Sequence, residues 1–118
     1  MKVYIAGKIT GDSNYREKFD QAAGFLEQQA FVVFNPANNP PGLTNADYMR
    51  IDMAMIDSAD VVYFLRDWRE SAGAQLEHAY CQYIGKRTAY QYVWEGSTDE
   101  RTDGGGRELP GAAGGGAG

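Results

Sequence analysis

The alternation of short apolar runs with helical repeats along residues 1–94 constrains the fold more than any other feature. Four runs rich in β-branched and aromatic residues indicate strands at residues 2–6, 30–34, 60–65 and 87–93. A segment with apolar residues at helical spacing lies between each run and the next. Strands that alternate with helices in this way form a parallel sheet with helices on both faces.

Local signals mark where the predicted helices begin and end. Asp12 or Ser13 is the expected N-cap of the first helix. Thr44 and Asp47, three residues apart, resemble a capping box at the start of the second helix. The third helix is expected to stop at Gly85.

Right-handed crossovers between these strands favour the order 2-1-3-4. The chain is therefore predicted to be a three-layer α/β protein of the flavodoxin or Rossmann type. In such sheets ligands bind beyond the carboxyl ends of the strands, where the strand order reverses, here between the first and third strands. The loops at residues 7–11 and 66–71 meet there, and their free backbone amides could hold an anion such as a phosphate.

Composition excludes several classes of protein. The 118 residues are 43% hydrophobic and 23% charged, as in soluble globular proteins, and the net charge of -5 offers no basic face to duplex nucleic acid. No apolar run approaches the roughly 20 residues that span a bilayer. Cys81 is the only cysteine, which excludes an internal disulfide and suits a reducing compartment. We expect a cytoplasmic protein with neither a membrane nor a duplex nucleic acid as partner.

Residues 95–118 differ in composition from the rest of the chain. They are rich in glycine and charge and contain almost no large apolar residues, so burial cannot offset the entropy cost of ordering them. We predict one α/β domain over residues 1–94 and a flexible Gly-rich tail after it. The loop at residues 7–11 matches neither a dinucleotide fingerprint nor a Walker loop, and no set of metal ligands converges, so neither a cofactor nor a metal is expected.

Two carboxylates interrupt the apolar stripes of the predicted helices. Asp52 shares its stripe with Tyr48, Ile51, Met55, Ile56 and Ala59, and Glu77 shares its stripe with Gly73, Leu76, Tyr80 and Ile84. A buried ionised carboxylate is costly unless it is paired or hydrogen-bonded, so such residues are often functional. Each could instead lie at the edge of its stripe and reach water. Two carboxylates at one crevice would suit the cleavage of a glycosidic bond.

Three segments of the chain resemble the nucleoside 2-deoxyribosyltransferase superfamily. They are YIAGKITG at residues 4–11, the stretch over residues 52–62, and S-x-G-x-x-x-E at residues 71–77. The superfamily also includes 2'-deoxynucleoside 5'-phosphate N-hydrolases and short phage or bacterial proteins of uncharacterised function. The chain is most similar to that short branch, through YIAGKITG, FNPA, DYMR and LEHA.

The resemblance implies a catalytic role for three residues. Glu77 would attack C1' of the sugar and form a glycosyl-enzyme ester that water or a second base resolves. Asp52 would orient the sugar or pass a proton to the departing base. Tyr4 would hydrogen-bond the Glu77 carboxylate through its phenol.

The resemblance also implies residues that bind the substrate. Ser71 stands where the transferases carry an Asp and the nucleotide hydrolases a Ser that contacts the 5'-phosphate, which favours a nucleoside monophosphate as substrate. Thr10 stands where those hydrolases have an arginine, so Lys8, Arg66 or Arg69 would supply the positive charge. Trp68 could stack on a base or act as a packing lid. The other expected contacts are Gly7, Ile9, Asn35 and Gly73.

Two classes of function remain open. The first is an enzyme that cleaves or exchanges the N-glycosidic bond of a nucleoside or nucleotide. The second is a protein on the same scaffold that holds a nucleotide or nucleotide-derived signal without turnover, or a phage-type interaction protein.

The resemblance further implies a homo-oligomer in which a second subunit completes the site. His78 is expected at the surface or an interface, and Cys81 is expected to pack inside.

Overall fold

The computed structural model describes residues 1–94, which form a parallel sheet with helices on both faces. The strands are β1 (Lys2–Ala6), β2 (Val32–Phe34), β3 (Val61–Phe64) and β4 (Arg87–Tyr90). They lie in the order β2-β1-β3-β4, and every neighbouring pair is parallel. The predicted fold class and strand order are confirmed. The tail predicted at residues 95–118 lies outside the described residues.

The helices connect the strands and complete the layers. They are α1 (Tyr15–Glu27), α2 (Asn45–Ser58), α3 (Ala72–Ile84) and α4 (Gln91–Trp94), with short 3-10 helices at Pro36–Asn38 and Trp68–Glu70. Both hydrogen bonds of the Thr44 and Asp47 capping box are present at the start of α2. Gly85 adopts φ 74°, the left-handed conformation that ends α3. Within residues 1–94, none of these helices is both long and apolar enough to cross a bilayer.

Two predicted boundaries were wrong. The last strand ends at Tyr90, and the chain continues as α4, where the Gln91 side-chain oxygen accepts a hydrogen bond from the Arg66 backbone N–H at 2.9 Å. The first helix takes Asn14 as its N-cap, without a side-chain cap bond. Asp12 does not cap because its carboxylate accepts from the Asn14 N–H and from the Lys18 ammonium instead.

The strands place alternate side chains on opposite faces of the sheet. In β1, Val3 and Ile5 pack in the core against α1, whereas Tyr4 and Ala6 belong to the core beneath α2 and α3. Phe19, Ala22, Ala23 and Leu26 cover the first face, and Ile56, Ala59, Ala74 and Cys81 cover the second. This alternation turns the Tyr4 side chain toward the helices that carry Asp52 and Glu77.

The apolar stripe predicted for α3 was wrong in part. The helix buries Ala74, Glu77 and Cys81, while Leu76 and Ile84 are 58% and 43% exposed. The buried side of α3 carries small residues, which leave room for the large aromatic side chains of the sheet. A search for large apolar residues at helical spacing overlooks a buried face of this kind. The prediction that Glu77 faces inward is confirmed, because its residue is only 4% exposed.

Two glycines offer a test of the packing that positions the first loop. A methyl group at Gly7 would lie 2.8 Å from Leu65 Cδ1, so we expect Gly7→Ala to destabilise the protein by about 1–3 kcal/mol through overpacking. Gly24 lies inside α1 with no atom within 4 Å of an added methyl, so Gly24→Ala should stabilise by about 0.5–1 kcal/mol. Urea unfolding measures both, and a Gly7→Ala midpoint equal to that of the wild type would contradict this packing.

Candidate active site

The three predicted catalytic residues lie together on the face of the sheet covered by α2 and α3. The Tyr4 hydroxyl donates a hydrogen bond to Glu77 Oε2 at 3.0 Å, across 73 residues of sequence. Asp52 is near enough to both side chains that its charge raises the pKa of each. Asn39, from the loop after β2, donates to Asp52 Oδ1 at 3.0 Å. We call these four residues, Tyr4, Asn39, Asp52 and Glu77, the carboxylate cluster.

Each member of the carboxylate cluster comes from a different element. Tyr4 is the middle residue of β1, and its position on the pleat sets its direction. Asp52 precedes the buried Ile56 by one helical turn on α2, and Glu77 lies between the buried Ala74 and Cys81 on α3. Tyr4 and Glu77 are buried, whereas Asp52 is half-buried. The cluster is therefore held by regular structure, with Asp52 as its more open carboxylate.

Burial and the second carboxylate shift the titration of Glu77. Its pKa is raised well above the usual range by burial first, then by the negative charge of Asp52 and a hydrogen bond with it, while the bond from Tyr4 acts in the opposite direction. Burial also raises the pKa of Asp52, although hydrogen bonds with Glu77, Asn39 and Tyr4 lower it. Because Glu77 is the more deeply buried of the two, burial favours the proton on Glu77 and the charge on Asp52.

The Tyr4 hydroxyl keeps its proton and therefore remains a hydrogen-bond donor. Its pKa is raised well above the usual range by burial and by the charges of Glu77 and Asp52. A phenol that keeps its proton can stabilise an ionised Glu77. The arrangement therefore supplies one carboxyl pair that can exchange a proton and one fixed donor directed at Glu77.

Some of the predicted substrate-binding residues are engaged in local structure, and others have space around them. Ser71 Oγ accepts from the Ala74 N–H at 3.1 Å and so caps α3, and its hydroxyl hydrogen can still be donated. Asn35 caps the 3-10 helix at Pro36–Asn38 and donates to Asp20, so its amide is used locally. Gly73 lies near Met49 and Ser71, with ordinary van der Waals space for a methyl.

The loop after β1 contains the remaining predicted contacts. Gly7 is required by its close approach to Leu65, a reason that applies without any ligand. The Lys8 ammonium is 3.7 Å from the exposed Glu70 carboxylate. Ile9 packs against the core on the α1 side, and Thr10 is exposed.

Trp68 occupies a packing position. It is 7% exposed and stacks on the His78 ring with centroids 4.2 Å apart, next to Phe64 at 5.2 Å. The structure thus favours the packing lid over a surface on which a base could stack. His78 is half-buried, with its Nε2 2.8 Å from the Tyr90 hydroxyl, and burial together with the charge of Arg69 lowers its pKa. A role for His78 at the surface or an interface stays a prediction.

The sequence pattern missed two residues that organise this region. Asn39 lies in the loop written NPANNPPG, whose turn residues concealed a side chain that contacts Asp52. Lys18 is the second, and its ammonium bonds to Asp12 and Asp67. Cys81 is buried as expected, and burial raises the pKa of its thiol to about 12. Within residues 1–94, no three His, Cys, Asp or Glu side chains converge as a metal site would require.

The fold is shared with solved structures of 2-deoxyribosyltransferases. The enzyme from Bacillus psychrosaccharolyticus matches with a TM-score of 0.61 and 18% identity, over 76% of this chain and 71% of that one. The Leishmania mexicana enzyme matches with a TM-score of 0.60 and 19% identity, over 89% and 76%. A conserved protein from Enterococcus faecalis matches with a TM-score of 0.55 and 18% identity, over 87% and 67%.

These similarities confirm the predicted resemblance at the level of the fold: the chain shares the α/β fold of these 2-deoxyribosyltransferases. Residues 1–90 match the family described as Domain of unknown function (DUF4406), and the chain belongs to that family. No curated protein matches the sequence.

The raised pKa of Glu77 predicts how stability depends on pH. The folded protein binds the Glu77 proton more tightly than the unfolded chain does. The contribution of Glu77 to the free energy of unfolding is therefore most favourable below the ordinary pKa of 4.5, and it is lost as pH rises through the pKa of the folded protein. Glu77→Gln should therefore become more stable relative to the wild type as pH increases from about 4.5 to 8. Chemical denaturation across that range measures the difference.

The exposed Glu27, at the end of α1, provides the matched control. Glu27→Gln also removes one carboxylate, but outside the carboxylate cluster, and so measures the general effect of losing one negative charge. The free energy of unfolding of Glu77→Gln relative to the wild type could instead stay constant from about pH 4.5 to 8. That result would show that Glu77 has the same pKa in the folded and the unfolded protein.

Proposed function

We propose that the protein cleaves or transfers the N-glycosidic bond of a nucleoside or nucleoside 5'-monophosphate, with Glu77 as the nucleophile. The buried hydrogen bond between Tyr4 and Glu77 beside Asp52 carries this proposal, because it places one carboxylate in reach of a donor and of a second carboxyl. The fold shared with 2-deoxyribosyltransferases supports the same class of substrate.

The carboxyl pair suggests how the reaction would begin. In the free protein the deeper burial of Glu77 favours the proton on that carboxyl. Transfer of that proton to Asp52 would leave Glu77 ionised and Asp52 protonated, which prepares a nucleophile and a general acid in one step. The Tyr4 hydroxyl would then stabilise the ionised Glu77.

Bond making and breaking would follow from that state. A Glu77 oxygen forms a bond to C1' as the bond from C1' to the base nitrogen breaks, and the base takes its proton from Asp52. The product is a glycosyl ester on Glu77 and a free base. Asp52, now ionised, removes a proton from water or a second base, which attacks C1' and releases Glu77. Hydrolysis and transfer differ only in that acceptor.

The loops at the carboxyl ends of β1 and β3 support a nucleoside monophosphate as substrate. Ser71 can donate its hydroxyl hydrogen, and the amides at the start of α3 have a favourable dipole for an anion. A hydroxyl tolerates a phosphate there, whereas a carboxylate would repel it. Lys8 lies in the facing loop and adds positive charge.

We further propose a cytoplasmic homo-oligomer. An open groove of about 660 Å³ on the outer side of α2 is lined by Ala46, Met49, Arg50, Met53, Ala54 and Asp57. A second subunit seated in this groove would cover the face of α2 that carries Met49 and Met53.

A protein that binds nucleotides without turnover is the alternative. A buried Glu77 that keeps its proton would donate a hydrogen bond to a ligand and would not attack it. The raised pKa of Glu77 is the observation that favours this alternative, and the release of free base distinguishes the two functions.

Base release from 2'-deoxynucleosides and their 5'-monophosphates tests the proposal. We expect the wild type to release base and Glu77→Gln to lose on the order of 10⁴-fold or more in rate, as when a covalent nucleophile is removed. Asp52→Asn should lose about 10²–10⁴-fold, as for general acid and base catalysis. Liquid chromatography, with and without an added acceptor base, measures each rate.

Glu27→Gln serves as the control and should retain the full rate, since Glu27 lies on the other side of the sheet. A wild type that binds these compounds but releases no base would favour the alternative. Full activity in Glu77→Gln would exclude Glu77 as the nucleophile.

Tyr4→Phe tests the hydrogen bond itself. The proposed reaction needs a single proton on the carboxyl pair, and Tyr4 lowers the pKa of both Glu77 and Asp52. Its loss should therefore move both the acidic and the alkaline limb of the kcat/KM profile to higher pH. Loss of a hydrogen bond to a charged group predicts a decrease of about 10–100-fold at neutral pH.

Tyr80→Phe is the matched control because its hydroxyl donates to Asp57 at 2.7 Å, outside the carboxylate cluster. Its profile should coincide with that of the wild type. An acidic limb in Tyr4→Phe at the wild-type position would show that Tyr4 does not tune the group whose ionisation limits the rate.

A further inference from the structure

The ammonium of Lys18 joins two loops that the sequence places far apart. It donates to the Lys8 carbonyl at 2.8 Å and to Asp12 Oδ2 at 2.6 Å, both in the β1–α1 loop (residues 7–14). It also donates to Asp67 Oδ2 in the β3–α3 loop (residues 65–71). An ammonium has three N–H donors, and each of them has an acceptor here.

The acceptors extend this connection into the backbone. Asp67 uses its other oxygen to accept from the Lys8 N–H at 3.1 Å, so the same carboxylate holds both a side chain and the backbone of the facing loop. Asp12 uses its other oxygen to accept from the Asn14 N–H at 2.8 Å. Lys18 is partly buried, with a side-chain exposure of 22%. Ion pairs of this kind fix geometry better than exposed ones.

The two loops connect directly to the carboxylate cluster. The β1–α1 loop follows the strand that carries Tyr4, and the β3–α3 loop leads into the helix that carries Glu77. They also meet at the carboxyl ends of β1 and β3, where ligands of such sheets bind. The Lys18 ammonium therefore fixes the relative position of the two loops that flank the carboxylate cluster.

We propose that Lys18 is a positioning residue that clamps these two loops at the distance that a nucleotide requires. It acts through Asp12, Asp67 and the backbone of Lys8, and its three donors leave none for the substrate itself. This inference rests on the proposed function for the identity of the ligand, whereas the clamp is a property of the free protein.

Lys18→Met tests the clamp in the free protein by hydrogen exchange of the two loops. The matched control is Lys86→Met, because Lys86 is a part-buried lysine that donates to the Ala59 carbonyl at 2.6 Å, at the opposite end of the sheet. We expect amide protection to fall together in residues 7–14 and 65–71 of Lys18→Met and to stay at the wild-type level there in Lys86→Met. Unchanged protection of residues 65–71 in Lys18→Met would overturn the clamp.

Binding tests the positioning role, with 2'-deoxynucleoside 5'-monophosphates as the probe and Glu77→Gln as the background so that no turnover intervenes. Misplaced loops should weaken binding in Lys18→Met by about 10-fold to 100-fold, with Lys86→Met close to the parent. In the active enzyme the same change should appear in KM more than in kcat. Loosened loops with unaltered affinity would overturn the positioning role.

The outcomes separate this inference from the proposed function. Affinity that depends on Lys18 in a protein that releases no base would support the clamp and contradict the enzyme. Base release by the wild type together with full affinity in Lys18→Met would support the enzyme and contradict the clamp.

Discussion

The candidate site depends on one interaction, the hydrogen bond from Tyr4 to Glu77. It joins the middle of a central strand to the buried face of α3, so it forms only when the strand, the helix and their register are all in place. Asp52 adds a second carboxyl whose charge and hydrogen bond raise the pKa of Glu77. A buried pair of this kind costs folding free energy above the ordinary pKa, and such costs are typical of sites that perform chemistry.

Much of the fold followed from short-range patterns. The β-branched runs and the capping box at Thr44 are decided by neighbours in sequence, and the strand order followed from the handedness of the crossovers. The end of β4 was missed because Gln91 is held by the backbone of Arg66, a contact between residues that are 25 apart. Local propensity contains no information about such a partner.

Some residues of the candidate site could be found from local sequence patterns, and others depend on partners that are distant in sequence. Glu77 and Asp52 were detectable because each carboxylate interrupts an apolar stripe, and Tyr4 entered through the resemblance to the superfamily. Asn39 and Lys18 could not be found in this way, since their significance lies in partners that only the folded chain brings near. Trp68 had two possible roles in the sequence, and the ring of His78 at 4.2 Å favours packing. Long-range polar contacts, more than the apolar core, are what the sequence conceals here.

Covalent trapping tests the central claim most directly. A 2-deoxy-2-fluoro nucleoside slows the release of a glycosyl-enzyme ester, so the wild type incubated with it should gain the mass of the fluorinated sugar while free base appears. Peptide mapping should place that mass on Glu77, and Glu77→Gln should acquire none. Base release with the adduct on Asp52, or with no adduct at any residue, would contradict the account.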